Sequence, residues 1–336
     1  SSKAVKPSEF EKVIVDSTVM EKAIAHPTDS RLLEIARYQV VKMAKAAGIM
    51  LKQTYAKEVQ QLRRKAGGYA HARQFRRLRK VVKRQRTILG IVLREIQRKL
   101  PEGHSESSAL QRLSVVMERA EQLRIQKPKD KNKLYAFHAP EVSCISKGKA
   151  RKPYEFGVKS SLAITHKQGL IVGARTFPGN PYDGHTLAAQ LEQTRIFLEN
   201  VGAEPKEVFV DLGYRGVDHE NPRVTIHHRG KHRSMTQEQR RWLKRRQSIE
   251  PVFGHLKNDH RMDRNWLKGE IGDAIHAVLC AAGYNIRWLM RAIIAGIISP
   301  VCLSLMLGHW VQIFKERFVG FLTGSTMDLE MDLRLA

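Results

Sequence analysis

Acidic side chains are scarce in this chain of 336 residues, 33 Asp and Glu against 59 Lys and Arg, so their positions are informative. Asp16 ends the run Val13-Ile14-Val15, and Asp211 ends the run Val208-Phe209-Val210. Glu250 comes 39 positions after Asp211, inside a helical pattern. Carboxylates at the ends of neighbouring strands point into one mouth of a sheet, and a helix packed over that edge can add a third. Three converging carboxylates repel one another unless a cation sits between them, so the set calls for hard, oxygen-liking divalent ions. Two Mg²⁺ about 3.5–4 Å apart can activate a water or hydroxyl on one side of a phosphate and stabilise the leaving oxygen on the other; Mn²⁺ is expected to substitute. Taken singly, each acid reads as a strand-end or helix-surface residue. The set in a basic chain points to metal binding. Asp183, just before Gly-His-Thr-Leu, reads as a helix N-cap, and Asp218 as a solvated loop residue.

The cations complement this picture. A net charge of +26 implies a polyanionic partner, nucleic acid first. Arg63, Arg64, Lys65, Arg76, Arg77, Arg79, Lys80, Lys83 and Arg84 form a run with few balancing acids. They are expected to contact the DNA backbone, giving affinity without sequence choice and a steep salt dependence. Tyr69, His71 and Phe75 are interleaved and could stack on a splayed base, although Phe75 reads rather as a core residue. Arg246 lies one helical turn before Glu250 and Lys257 two turns after it, so the three can share a face. There the two cations would hold the phosphates flanking a scissile bond, the alternative being simple pairing with Glu250 or exposure. The cluster from His227 to His232 has no Cys-x-x-Cys beside it and cationic neighbours, which argues against zinc. His255 reads as a surface residue.

Composition narrows the classes further. Hydrophobic residues at 42% and charged residues at 27% are globular values. Cys144, Cys280 and Cys302 are too few and too scattered for a disulfide framework, which suggests a reducing, cytoplasmic setting. Ser1-Ser2-Lys3 opens no secretory h-region. The apolar stretch Ala292 to Leu307 is short for a membrane span, is interrupted by Pro300, and reads as a packing helix. No membrane partner is expected.

These residues need elements to hold them. Val13 to Val15 is a short buried strand. Thr28 or Asp29 can cap a helical block over 30–124, with apolar stripes at helix spacing and breaks expected at Gly67-Gly68 and Pro101-Glu102-Gly103. Gln126 to Lys133 reads as a linker. Phe156–Thr165 and Leu170–Phe177 form a hairpin, a helix runs from Asp183 to about Asn200, and short strands follow at 207–211 and 224–227. Thr236 to Gln239 resembles a capping box, with a helix break near Ser248 and a last helix over 272–294. With the helical block removed, this is the order of a ribonuclease-H-like domain. The fold class is α/β: a ribonuclease-H-like mixed sheet flanked by helices, with a basic all-helical insertion after the first strand. The organisation reads as a first strand in 1–29, the insertion in 30–133, the rest of the catalytic domain in 134–295, and a tail of unassigned role in 296–336.

VIVDSTVMEKAIAHPTDSRLL (13–33), KARKPYEFGVK (149–159), FPGNPYDGHTLAAQLEQT (177–194), VFVDLGYRG (208–216) and RRQSIEPVFGHLKNDHRMDRNWLKG (245–269) resemble bacterial insertion-sequence transposases of the DDE type, in the insertion-sequence-five group. The resemblance covers most of residues 10–295. It implies a Mg²⁺-binding triad of Asp16, Asp211 and Glu250. Related groups carry Tyr, two residues, Arg, three residues, Glu, six residues, Lys. Arg246, Glu250 and Lys257 fit that spacing, while Leu243 stands at the Tyr position. Arg215, in the fourth stretch, joins the residues expected to face DNA. The implied function is a DNA transposase. A water cuts at the element end, and the freed 3′-OH attacks target DNA. The partner is double-stranded DNA, and a homodimer is expected because two ends are joined together. A ribonuclease-H-like nuclease that cuts without joining, and a non-catalytic nucleic-acid-binding remnant, are the competing readings.

Overall fold

A computed structural model describes residues 5–100, 107–146 and 152–295. The chain divides into two compact units, one of residues 1–23 with 145–336 and one of residues 24–144.

The first unit is built on a mixed sheet of β1 (Lys12–Glu21), β2 (Ser143–Ser146), β3 (Tyr154–Thr165), β4 (Ile171–Phe177), β5 (Glu207–Phe209) and β6 (Thr225–His227). The order is β2-β3-β1-β5-β6, with β4 also paired to β3. β1 and β3 are antiparallel, from Val13 opposite Thr165 to Glu21 opposite Gly157. β5 runs parallel to β1 and β6 parallel to β5. This is the ribonuclease-H-like arrangement, a mixed sheet with helices on both faces.

The period of two in β1 distributes its side chains between the faces. Val13 and Val15 join a core with Leu187 and Leu191 of helix α5 (Asp183–Leu198). Ile14 joins the opposite core, with Ile249, Phe253 and Leu256 of α7 (Ile249–Asp259) and Ala277 and Ala281 of α8 (Gly269–Ile294). β1 does not stop at Asp16, as the short β-branched run suggested. It continues to Glu21 because β3 supplies a partner along the whole length. β5 pairs only with Lys12 to Ile14, so Asp16 lies just past the point where the parallel half of the sheet ends. That gap beside a central strand is where a ribonuclease-H-like sheet can expose polar side chains.

Beyond β1, Lys22 Nζ donates to Asp273 Oδ1 at 2.5 Å, and both side chains are buried. Asn265 Nδ2 donates to the same oxygen. This buried group ties the end of the central strand to α8. α8 is the one helix among the described residues long and apolar enough to cross a membrane by length and composition. Its inward face is committed to the sheet, where Asn285 exchanges two hydrogen bonds with the backbone of Ile171.

The expected helix break near Ser248 is present. α6 (Gln237–Arg245) opens on the Thr236–Gln239 capping box and gives way to a 3-10 turn at Arg246–Ser248. Pro251 then sits in the first turn of α7, where its missing N–H costs nothing.

The second unit contains α1 (Asp29–Ala46), α2 (Ala56–His71), α3 (Phe75–Lys99) and α4 (Ser108–Ile125). Leu33, Ala36, Val40, Val92, Ile96 and Leu113 are among its core residues. Gly67 and Gly68 do not break it; they lie inside α2. The chain turns instead at Ala72–Gln74, where Arg73 takes a left-handed φ of 53°. A helical glycine weakens a helix by about 1 kcal/mol, less than tertiary packing supplies. Phe75 opens α3 and is 57% exposed, so it is not the core residue its type suggested. The expected break at Pro101 to Gly103, Cys302 and most of Ala292–Leu307 lie outside the described residues.

Candidate active site

Asp16 and Ser17 are adjacent, so their side chains leave β1 on opposite faces. Asp16 shares the face of Ile14, beneath the segment from Arg246 to α7. Its Oδ1 accepts from the Ser17 N–H at 2.7 Å, and its Oδ2 accepts from Arg246 Nη1 at 3.1 Å. The two side chains are largely buried, 14% and 17% exposed. Burial pushes the Asp16 carboxyl up from 3.8 to about 6. The negative charges of Asp211 and Glu250 push the same way, while the Ser17 N–H and Arg246 oppose them. Carboxylates far apart in the sequence are therefore within electrostatic reach of Asp16.

Asp211 follows β5 and caps the 3-10 turn Leu212–Tyr214, its Oδ1 accepting from the Gly213 N–H at 2.7 Å. A Cβ at position 213 would come within 2.9 Å of Asp211 Oδ1 and 3.1 Å of Asp183 Oδ2. Glycine is therefore what lets two carboxylates close on this turn. Asp183 is not the N-cap that its sequence context suggested. Tyr182 occupies that position, and Asp183 is the first helical residue of α5. Its Oδ1 accepts from Ser17 Oγ at 2.7 Å and from Lys159 Nζ at 2.9 Å. Lys159 Nζ also donates to the Pro181 carbonyl. Tyr214, fully buried, has its phenol pushed well above 10 by burial and then by Asp16, Asp183 and Asp211, which keeps it neutral. The sequence reading took Asp183 for a cap and did not single out Lys159 or Ser17. The signal was the alternation in β1: with Asp16 on one face, Ser17 must face α5.

Arg246 lies in the 3-10 turn and reaches Asp16, rather than sharing the regular face of Glu250. Lys257 lies 4.0 Å from Glu155 on β3. Arg215 is exposed. His255 pairs with Asp259 on the surface, and Asp218 pairs with Lys231. His227 is a structural residue, bonded to Glu207 at 3.0 Å and stacked on Phe209.

In the helical unit, Arg63 pairs with Glu34 and Arg84 with Glu58, while Arg77 bonds to Gln74 and Arg79 to the Phe75 carbonyl. Arg64, Lys65, Arg76, Lys80 and Lys83 are exposed and have no carboxylate partner among the described residues. A groove of about 750 Å³ opens in this unit, with Arg31, Arg63, Arg79, Lys83 and Arg86 around an apolar floor that includes Leu78 and Val82.

Asp16, Asp211 and Glu250 offer only hard oxygen donors, which suits divalent ions. The repulsion felt by Asp16 is what a bound cation would relieve. Among the described residues, no three His, Cys, Asp or Glu side chains are gathered tightly enough to hold an ion. Arg246 is the cation resting on Asp16.

Residues 122–286 match the family described as transposase DDE domain. Asp211 and Glu250 fall within that stretch and Asp16 before it. A 70-residue segment is 50% identical to a Rhizobium meliloti protein described as "Uncharacterized protein ORF8 in nfe locus", covering 21% of this chain and 34% of that protein. The match thus spans about a third of the relative's length. No solved structure matches. The mixed α/β sheet and the family match agree: this chain carries a transposase DDE domain over residues 122–286.

Proposed function

We propose that the chain is a DNA transposase of the insertion-sequence-five type, which cleaves element ends and joins the freed 3′-OH to target DNA by two in-line phosphoryl transfers. The observation that carries this reading is the largely buried Asp16 of a basic protein, on which Arg246 and the negative charges of Asp211 and of the exposed Glu250 all bear. Asp16, Asp211 and Glu250 would hold two Mg²⁺, with Mn²⁺ as a substitute. Such ions supply Lewis-acid stabilisation of a developing oxyanion and a deprotonated nucleophile at neutral pH.

The chain's own residues do the rest. Arg246 balances Asp16 in the resting state. Once the acids have other counter-charges, its guanidinium would be released to hold non-bridging phosphate oxygens, a bidentate role suited to arginine. Lys257 and Arg215 would hold flanking phosphates. The cations of α2 and α3 would bind the duplex backbone. The helical unit is then an insertion between the first strand of the catalytic domain and its remainder, and two copies would act on two ends.

A strand-transfer assay with a pre-cleaved element end tests the proposal. Joined product that requires Mg²⁺ or Mn²⁺ and is lost in Asp16→Asn, Asp211→Asn and Glu250→Gln is expected. Cleavage without joined product would instead assign a nuclease. Full activity in all three variants would refute the triad.

A further inference from the structure

We infer that Asp183 is a positioning residue that holds together the two chain segments bearing Asp16 and Asp211. This builds on the reading of those acids as metal ligands.

An acid in the first turn of a helix already gains from the helix dipole while facing solvent. Asp183 instead turns inward. One oxygen takes two donors, Ser17 Oγ and Lys159 Nζ, at 2.7 and 2.9 Å. The other lies against Gly213, whose own N–H is held by Asp211. Ser17 is the residue after Asp16, and Gly213 is two residues after Asp211. A single carboxylate is therefore bonded beside Asp16 on the central strand and lies 3.1 Å from where a Cβ at Gly213 would stand, in the turn after a three-residue strand.

Its setting is rigid. Thr186 Oγ1 donates to the Asp183 carbonyl at 2.7 Å, pinning the first turn of α5. Lys159 is 10% exposed and sits opposite Val19 on β3. Asp183 is 30% exposed, and an ion pair only partly removed from water is a weak source of stability. What it offers is a fixed distance and direction. On the β6 side the Val210 N–H still bonds the His227 carbonyl, but β5 pairs with β1 only from Lys12 to Ile14, so no ladder bond joins the Asp211 turn to Asp16, and a side-chain tie can set the separation of the two acids.

The test is Mn²⁺ binding by titration calorimetry on the full chain, read beside thermal melting. Residues that orient metal ligands typically change affinity about 10–100-fold when lost. Asp183→Asn should weaken Mn²⁺ binding about ten-fold or more. It also strands the Lys159 charge, so melting alone does not separate a clamp from a charge balance. The double variant Asp183→Asn with Lys159→Gln does. It should regain much of the melting temperature while Mn²⁺ affinity stays low. Ser17→Ala, which keeps the ion pair and cuts the tie to β1, should weaken Mn²⁺ binding by a smaller factor. Wild-type affinity in the double variant, or in both Asp183→Asn and Ser17→Ala, would overturn the inference. Absence of Mn²⁺ binding in the wild type would overturn the metal-ligand reading and the inference with it.

Discussion

The two units of this protein use charge in opposite ways. In the unit built on the sheet, the charges that matter are buried and committed: Arg246 on Asp16, Lys159 on Asp183, Lys22 on Asp273. In the helical unit, Arg64, Lys65, Arg76, Lys80 and Lys83 stand exposed without carboxylate partners among the described residues. A buried charge loses hydration and must be met by a partner of fixed geometry. An exposed one keeps its hydration, acts at long range and is screened by salt. The first arrangement suits chemistry at a defined point, the second attraction to a long polyanion. The contrast shows that a net charge of +26 says little about a site until each cation is located.

Disabling the acids of the sheet unit should have the largest effect. Asp16→Asn, Asp211→Asn or Glu250→Gln should each lower metal-dependent DNA cleavage by about 10³-fold or more, while filter-binding affinity for DNA stays close to wild type. Loss of binding in step with cleavage would erase the division of labour between units. Next in size is a buried pair far from the chemistry. Asp273→Ala leaves Lys22 charged inside the protein and should cost about 3–5 kcal/mol in urea unfolding. A change within the scatter of surface substitutions would mean that burial is not what sets the sheet unit apart.

The exposed cations are expected to act additively and mildly. Replacing Arg76, Lys80 and Lys83 together by Ala should leave melting unchanged and flatten the plot of log affinity against log salt by about 0.9 per lost phosphate contact. An unchanged slope would remove these three from the DNA-facing set. The smallest effect concerns pH. The folded chain holds the Asp16 proton up to about 6 against an ordinary 3.8, so the protonated group favours the fold. That contribution is full below about pH 4 and is lost as pH rises through about 6. Divalent ions bind the ionised form, so added Mg²⁺ should raise the melting temperature more at about pH 8 than at about pH 5. An equal rise at both would separate Asp16 from metal binding.

Much of this was legible in the residues. β-branched runs ending in acids marked the central strands, and the capping box and Pro251 marked the α6–α7 junction. The apolar stripes gave the helices of the second unit. The extent of β1 was not legible. Thr18 to Glu21 carries no clean alternation, and its pairing depends on β3, more than 130 residues away. Asp183 was misread for a related reason. Its local context fits a cap, and only the sheet brings Ser17 and Lys159 to it. Phe75 was misread because aromatic character says nothing about which side of a helix start meets the core. Local rules located elements, and the errors fell where a distant partner decided the outcome.

The central strand of the sheet is made first and its partners last. During synthesis, Val13 to Met20 emerges without β3 or β5 to pair with, and the whole unit of residues 24–144 is produced before they appear. The helical unit has local contacts and can fold early, whereas the strand must wait as an unsatisfied apolar edge. The arrangement that gathers the acids in the finished molecule thus makes the newborn chain prone to self-association, and slow translation or a scarcity of chaperones should lower the yield of soluble protein before it changes any activity.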